Sequence, residues 1–270
     1  WTRAATSARG ATATTSTSAG TDLPMLDRAT ALDVLRDGEI EVLGRIVGSS
    51  NNALLVRMTR PCPDPADGPP QRLDAVYKPT IGERPLDDFP EGTLTRREVA
   101  AWHVSEALGW DIVPPTLLRD GPFGEGMIQA FIEADASVDV VALVVEDDPR
   151  LRRMATFDAA INNTDRKGGH LLPVDGGRHV HGVDHGVTFS VVPKLRTVLW
   201  GWRGEPFAAD EMAGLERLRG ALAGGLRPIL RELLSAGEVR ATVRRVDALL
   251  ADGHFPFPSP TWPAVPWPPF

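Results

Sequence analysis

The residues best suited to chemistry are concentrated between positions 162 and 189. Asp165 lies five residues before His170, and Asp184 lies fourteen residues beyond that histidine. Phosphoryl-transfer sites use this order, with an acid beside the acceptor hydroxyl followed by ligands for a divalent cation. Asp and Asn are also common loop formers, so the segment taken alone fits an ordinary turn. Partners elsewhere in the chain must decide between these interpretations.

Two further residues supply parts that phosphoryl transfer requires, namely a cation for the phosphates and an acid that orients this cation. Lys78 closes a predicted strand, and Glu98 follows it by twenty residues on a predicted helix. Each has an ordinary alternative, because a strand-end lysine is usually solvated and Glu98 could complete a capping box with Thr95. With Asp165 as the base and two metal ligands downstream, every requirement has a candidate.

The elements that must position these residues begin with a β-rich half. Residues 40–58 place β-branched and alternating apolar residues around a polar turn, which predicts a strand, a tight turn and a strand. The same pattern suits an ordinary hairpin. The turn contains the candidates for covering phosphates: Gly48, Ser49, Ser50 and Asn51.

The clearest predicted helix spans residues 95–108. Thr95 can cap this helix and Gly109 can end it. Beyond residue 137 the apolar spacing becomes helical, so the chain divides into a β-rich half and a helical half. The other predicted strands are residues 73–77, 110–116 and 127–132, and the later helices are residues 138–145, 149–161, 210–226 and 228–250.

The two ends of the sequence have unusual compositions. The stretch at residues 1–25 is mainly Ala, Thr, Ser and Gly without apolar periodicity, which predicts a disordered leader. Residues 255–270 contain seven prolines among aromatic side chains, which predicts an extended arm packed on the domain surface.

The bulk properties exclude several classes of protein. The 270 residues carry a net charge of −7 with both signs interspersed, so nucleic acid is not an expected partner. The sequence has no long apolar run, and stable membrane insertion is not expected. Cys62 is the only cysteine, which excludes an intramolecular disulfide and fits a cytoplasmic location.

The order of these motifs resembles the phosphatidylinositol 3-/4-kinase-like superfamily, specifically its actinobacterial cytoplasmic members. The resemblance covers roughly residues 40–205. It implies an α+β, bilobal kinase-like fold, with an N-lobe at residues 26–133 and a mainly helical C-lobe at residues 134–254. The matching segments are residues 76–79 for the nucleotide lysine, 97–101 for the helix acid, 127–131 for adenine, 163–167 for the catalytic loop and 183–186 for the metal-binding turn.

The resemblance also implies an activity, which is transfer of the γ-phosphoryl group of ATP with Mg²⁺ or Mn²⁺. In this scheme Lys78 and Glu98 serve the phosphates, His170 and Asp184 hold metal, and Asp165 orients the acceptor. Lys167 would stabilise the transferred group, and the adenine segment contains Gln129 and Phe131.

The chain departs from the family at two positions. His170 replaces the usual asparagine, and Lys167 replaces the histidine of lipid kinases. Residues 187–206 offer few cations, so a protein or a small hydroxylated molecule is a better expected acceptor than a polyphosphorylated lipid. Two alternatives stay open: a nucleotide-binding pseudokinase, or a metal hydrolase built on His170, His179, His181, Asp184 and His185.

Overall fold

The computed structural model describes residues 26–46, 52–62 and 68–270. In this part of the chain, strands follow one short helix and dominate the N-terminal region, and helices dominate later. The prediction of an α+β fold with a β-rich N-terminal region and a mainly helical C-terminal region is therefore confirmed. The predicted leader at residues 1–25 lies outside the described residues, as do the candidates Gly48, Ser49, Ser50 and Asn51.

A five-stranded antiparallel sheet forms the β-rich region in the order β1-β2-β3-β5-β4. Helix α1 (Arg28–Asp37) packs against it, and fully buried Val34 and Tyr77 share the resulting core. Because successive side chains of a strand point to opposite faces, Tyr77 in this core turns Lys78 to the other face. The strands are β1 (Glu39–Arg45), β2 (Leu54–Arg60), β3 (Gln71–Pro79), β4 (Thr116–Gly121) and β5 (Gly124–Ala130).

Helix α2 (Leu94–Leu108) carries Glu98 but is capped differently from the prediction. The Glu83 carboxylate accepts hydrogen bonds from the first two helical N–H groups, at 3.0 and 2.7 Å. The prediction that Thr95 caps this helix is therefore wrong, and the alternative capping box of Thr95 with Glu98 does not form, because an acid from an upstream loop supplies the cap. Gly109 ends the helix in the left-handed region, with φ 69°, as predicted.

The predicted strand at residues 110–116 is also wrong. Most of these residues form a loop, and β4 begins only at Thr116. The Ser105 hydroxyl accepts hydrogen bonds from the N–H groups of Ile112 and Val113, at 2.9 and 3.1 Å. Those N–H groups are thus engaged by α2 and not by a neighbouring strand.

The helical region packs around a second, larger core, in which α2 takes part. The predicted helix at residues 228–250 is two helices, because Ser235 and Glu238 form a capping box that starts a new one. No helix among the described residues is both long and apolar enough to cross a membrane. The helices are α3 (Val140–Val145), α4 (Arg152–Ile161), α5 (Ala209–Ala223), α6 (Leu226–Leu233) and α7 (Ala236–Asp252).

A two-stranded hairpin of β6 (Leu171–Val174) and β7 (His179–Gly182) separates the predicted catalytic loop from the predicted metal-binding turn. Such a connection returns the chain to its starting point, so residues on the two sides of the hairpin can meet. Residues 255–270 form no helix or strand, and Phe255 is buried against Phe207.

Candidate active site

The structure brings Lys78, Glu98 and Asp184 into direct contact. The Lys78 ammonium donates hydrogen bonds to Glu98 Oε1 at 2.6 Å and to Asp184 Oδ1 at 3.0 Å. Strand β3 supplies the lysine, α2 the glutamate and the turn after β7 the aspartate. The Lys78 and Glu98 side chains are 14% and 3% exposed, whereas that of Asp184 is 44% exposed. Asp184 is therefore the member of this cluster that a ligand can reach from solvent.

The charges in the cluster stabilise one another. Burial disfavours the Lys78 ammonium, but Asp184 and Glu98 outweigh it and raise the pKa of Lys78. The nearby ammonium is also the main reason why the pKa of Asp184 lies far below its usual range. Burial raises the pKa of Glu98, and Lys78 opposes that effect. Lys78 therefore stays charged, and Asp184 is a carboxylate at any physiological pH.

The turn that carries Asp184 is held in an uncommon backbone conformation. Asp184 has φ 61°, in the left-handed region that non-glycine residues rarely occupy. Its neighbours fix it, since the His185 N–H donates to Glu98 Oε2 at 2.9 Å and Arg166 donates to the Val183 carbonyl at 3.1 Å. Glu98 thus positions both the lysine and the turn.

His170 lies beside the exposed carboxylate of Asp184, with 3.5 Å between His170 Nε2 and Asp184 Oδ2. Burial is the main cause that lowers the pKa of His170, so the imidazole is neutral at neutral pH. Its Nδ1 is buried and has no hydrogen-bond partner among the described residues. A neutral imidazole nitrogen and a carboxylate oxygen at this separation can both coordinate one divalent cation. The geometry is therefore compatible with His170 and Asp184 as metal ligands.

Asp165 and Lys167 form a second pair next to His170. Lys167 Nζ lies 3.2 Å from Asp165 Oδ2, and both side chains are partly exposed. The loop that carries Asp165 and Lys167 is anchored to the protein interior. The Asp165 N–H donates to Asn163 Oδ1 at 3.0 Å, and Asn163 donates to the buried Asp158 at 2.9 Å. The proposed base and the proposed metal ligands therefore share one end of the β6–β7 hairpin.

Arg166 is a site residue that the sequence-based prediction missed. It is fully buried, and its guanidinium makes two hydrogen bonds of 2.9 Å to the equally buried Asp158 of α4. It also donates to His185 Nε2 at 2.6 Å, which requires Nε2 to be unprotonated. Burial, followed by Arg166, holds the pKa of His185 well below its usual range. The signal in the sequence was an acid, Asp158, inside the otherwise apolar core face of a helix.

A second missed residue, Arg97, anchors helix α2 beside Glu98. Its guanidinium donates to Glu238 of α7 at 2.5 Å and to the Thr188 carbonyl at 2.7 Å. The Arg97 side chain is 1% exposed and that of Glu238 is 8% exposed, so this ion pair is almost completely shielded from solvent. Arg97 is the neighbour of Glu98 on α2, so its bonds to Glu238 and Thr188 also hold Glu98 in place.

The two adenine candidates do not contact the charged cluster directly. Gln129 is buried in β5 and donates to Thr116 Oγ1 at 2.8 Å. Phe131 follows β5 with a ring that is 41% exposed, and its N–H donates to the Asp74 carbonyl at 2.9 Å. Phe131 thus offers an exposed aromatic face, whereas the Gln129 amide is engaged inside the sheet.

The arm at residues 255–270 borders the catalytic loop and the segment after the metal-binding turn. The Gly168 N–H donates to the Pro269 carbonyl at 2.8 Å, and the Arg196 guanidinium donates to the carbonyls of Pro263 at 3.2 Å and Val265 at 3.4 Å. Lys194 forms an ion pair with Asp88. Two of the few cations in residues 187–206, Lys194 and Arg196, are therefore bonded to the protein itself.

His179 and His181 do not join His170 and Asp184. The two histidines share one face of β7, with ring centroids 4.4 Å apart, and their third neighbour is Asp111. Among the described residues, these three form the one group of at least three His, Cys, Asp or Glu side chains with ligand atoms close enough to share a metal. The hydrolase set predicted from the sequence is thus divided between two places.

Comparison with known proteins gives one close relative. No protein-family model matches the chain. Protein Rv2133c of Mycobacterium tuberculosis is 41% identical over 273 aligned positions, which cover 88% of this chain and 94% of that protein. Among solved structures, the Helicobacter pylori proinflammatory kinase CtkA has a TM-score of 0.48 and 13% identity, covering 79% of this chain and 92% of that one.

Proposed function

We propose that this chain, which belongs to the same family as Protein Rv2133c of Mycobacterium tuberculosis, is an ATP-dependent phosphotransferase that transfers the γ-phosphoryl group to a hydroxyl. The contact of Lys78 with both Glu98 and Asp184 carries this proposal. A buried acid holds the lysine, and the lysine reaches an exposed acid beside a neutral imidazole. With Asp165 and Lys167 included, two cations face three carboxylates, so the cluster has a net charge of −1 that suits a divalent cation.

In this proposal the Lys78 ammonium binds the α- and β-phosphates of ATP, and Glu98 keeps the ammonium in place. Asp184 and His170 hold Mg²⁺ or Mn²⁺, consistent with the 3.5 Å between their donor atoms. The metal supplies charge neutralisation at the phosphates. Asp184 has a left-handed backbone, and the next N–H group, that of His185, donates a hydrogen bond to Glu98.

Asp165 orients the acceptor hydroxyl and takes up its proton, while Lys167 stabilises the transferred phosphoryl group. Lys167 Nζ and Asp165 Oδ2 are 3.2 Å apart, so both side chains can face the same substrate. Phe131, and more remotely Gln129, border the proposed adenine site. From the sequence alone, Gly48, Ser49, Ser50 and Asn51 are proposed to cover the phosphates.

A phosphatidylinositol 3-/4-kinase-like mechanism with a protein or a small hydroxylated acceptor suits these features best. Lys194 is paired with Asp88, and Arg196 with carbonyls of the arm. A polyphosphorylated headgroup would have to compete for these cations, whereas a neutral hydroxyl would not.

The proposal is tested with [γ-³²P]ATP, Mg²⁺ or Mn²⁺ and a fractionated cell extract as the source of acceptors. Asp165→Asn should lose most of the transfer and keep ATP affinity, because the carboxylate faces the acceptor and not the nucleotide. Asp184→Asn should lose metal-dependent ATP binding as well. If the wild-type protein binds ATP but transfers label neither to the extract nor to itself and releases no labelled phosphate, it is a nucleotide-binding pseudokinase.

A further inference from the structure

We propose that Asp111, His179 and His181 form a binding site for a transition-metal cation, for which Zn²⁺ is the best match. One ligand atom from each residue lies within 4.8 Å of the other two. Ligands on one tetrahedral zinc ion are about 3.4 Å apart, given bonds near 2.0–2.1 Å, so side-chain shifts of about 1 Å would close the site. Two imidazoles and one carboxylate favour Zn²⁺, Co²⁺ or Ni²⁺ over Mg²⁺, which prefers oxygen ligands.

The hydrogen bonds of the two histidines leave one ring nitrogen of each imidazole available. His179 Nε2 lies 2.8 Å from the Asp111 carbonyl, a bond in which the imidazole must donate, so Nδ1 keeps a free lone pair. Metal-binding histidines commonly donate their other N–H to a backbone carbonyl in this way. His181 Nδ1 is buried and has no partner among the described residues. A metal ion would satisfy this unpaired nitrogen.

The backbone around the site is fixed before any metal arrives. The loop between α2 and β4 is bonded to Ser105 on one side and to β7 on the other, where the Gly182 N–H donates to the Ile112 carbonyl at 2.8 Å. Asp111 itself is in the left-handed region, with φ 53°. Its side chain is 55% exposed and pairs with Arg28 at 3.2 Å through Oδ1, which leaves the second oxygen and an open position toward solvent.

This site is separate from the proposed nucleotide site but is linked to it through the chain. Strand β7 carries both histidines and ends two residues before Asp184. A metal bound by Asp111, His179 and His181 would tie the loop after α2 to the strand that leads into the metal-binding turn. We therefore expect bound metal to stabilise the fold even when no nucleotide is present.

The experiment uses tag-free protein of residues 1–270, stripped of metal and titrated with Zn²⁺ by calorimetry. The same samples are titrated with Co²⁺, whose visible absorption reports tetrahedral coordination by nitrogen and oxygen. Wild type should bind one Zn²⁺ and show a raised melting temperature. His179→Ala and His181→Ala should each lose more than roughly 100-fold in Zn²⁺ affinity, since even outer-sphere changes cost 10–100-fold.

Two controls separate the sites. His254→Ala removes an exposed histidine outside the site, and Asp184→Asn removes the proposed nucleotide metal ligand; both should keep wild-type Zn²⁺ affinity and the Co²⁺ spectrum. If an alanine variant does not fold, as judged by circular dichroism, His181→Gln and Asp111→Asn replace it. The proposal is overturned if Zn²⁺ affinity survives loss of either histidine, if it is lost in Asp184→Asn, or if wild type binds no Zn²⁺.

Discussion

Replacing Lys78 by methionine should destabilise the protein substantially, because it leaves the buried Glu98 without its cation. Methionine keeps the aliphatic volume of the lysine stem, so the change is mainly one of charge. Breaking a buried ion pair from one side typically costs about 3–5 kcal/mol. The Glu98 carboxylate can avoid part of this free-energy cost by taking up a proton. Protonating an ordinary glutamate at neutral pH costs about 4 kcal/mol. The expected loss is therefore about 3–4 kcal/mol.

The loss of stability in Lys78→Met should depend on pH, because the protonation of Glu98 does. In Lys78→Met the folded-state pKa of Glu98 is raised above its unfolded value, so the folded protein binds the extra proton. The stability deficit should shrink as the pH is lowered from neutral toward the usual glutamate pKa, and grow as the pH rises. Adding Glu98→Gln should restore most of the lost stability, because the unpaired buried charge is then removed.

The assay is chemical and thermal unfolding of wild type, both single variants and the double variant at two pH values. A loss of about 3 kcal/mol corresponds to a fall of roughly 6–12 °C in melting temperature for a chain of this size. The matched control is Lys194→Met, which breaks a lysine pair with the exposed Asp88 and should cost less than about 1 kcal/mol. A Lys78→Met protein as stable as this control, or one that Glu98→Gln fails to rescue, would refute the argument.

Three further predictions follow from individual side chains. The folded-state pKa of His185 lies below its ordinary value of 6.5, so the unfolded chain binds more protons and the unfolding free energy should fall as the pH drops below 6.5. His185→Gln, whose amide oxygen can still accept from Arg166, should flatten that acid limb in urea titrations at several pH values. Glu83→Gln should lower the unfolding free energy by about 1 kcal/mol, because it weakens the charged cap of α2. His170→Asn should shift the metal preference of ATP binding from Mn²⁺ toward Mg²⁺, since an amide oxygen is a harder ligand than an imidazole nitrogen; identical metal profiles would show that His170 is not a ligand.

Spacing along the sequence predicts that Lys78 and Glu98 meet, and the structure confirms this contact. Lys78, Glu98, His170 and Asp184 were selected because phosphoryl transfer requires a cation, an orienting acid and metal ligands in this order, and the structure places them in contact. The change from strand to helix periodicity also predicted the α+β class. Both signals depend on chemistry or spacing that is local to a segment.

Long-range partners could not be predicted in the same way. The cap of α2 comes from Glu83, eleven residues before the helix begins, and the loop after α2 is bonded to Ser105 where a strand was predicted. Arg166 was missed because the acid in the core face of α4, Asp158, indicates a buried charged partner without identifying which residue it is. Tertiary hydrogen bonds decided each of these cases, and single-sequence patterns do not report them.

The most direct test of the central claim is calorimetric titration of ATP into wild type and Asp184→Asn, each with Mg²⁺, Mn²⁺ or EDTA. Asp88→Asn serves as a control that removes an acid from a surface position. The structure predicts saturable ATP binding by wild type and by Asp88→Asn that requires a divalent cation, and loss of that binding in Asp184→Asn. ATP binding that is equal in EDTA and unchanged by Asp184→Asn, or no binding by wild type, would contradict a nucleotide–metal site at Lys78, Glu98 and Asp184.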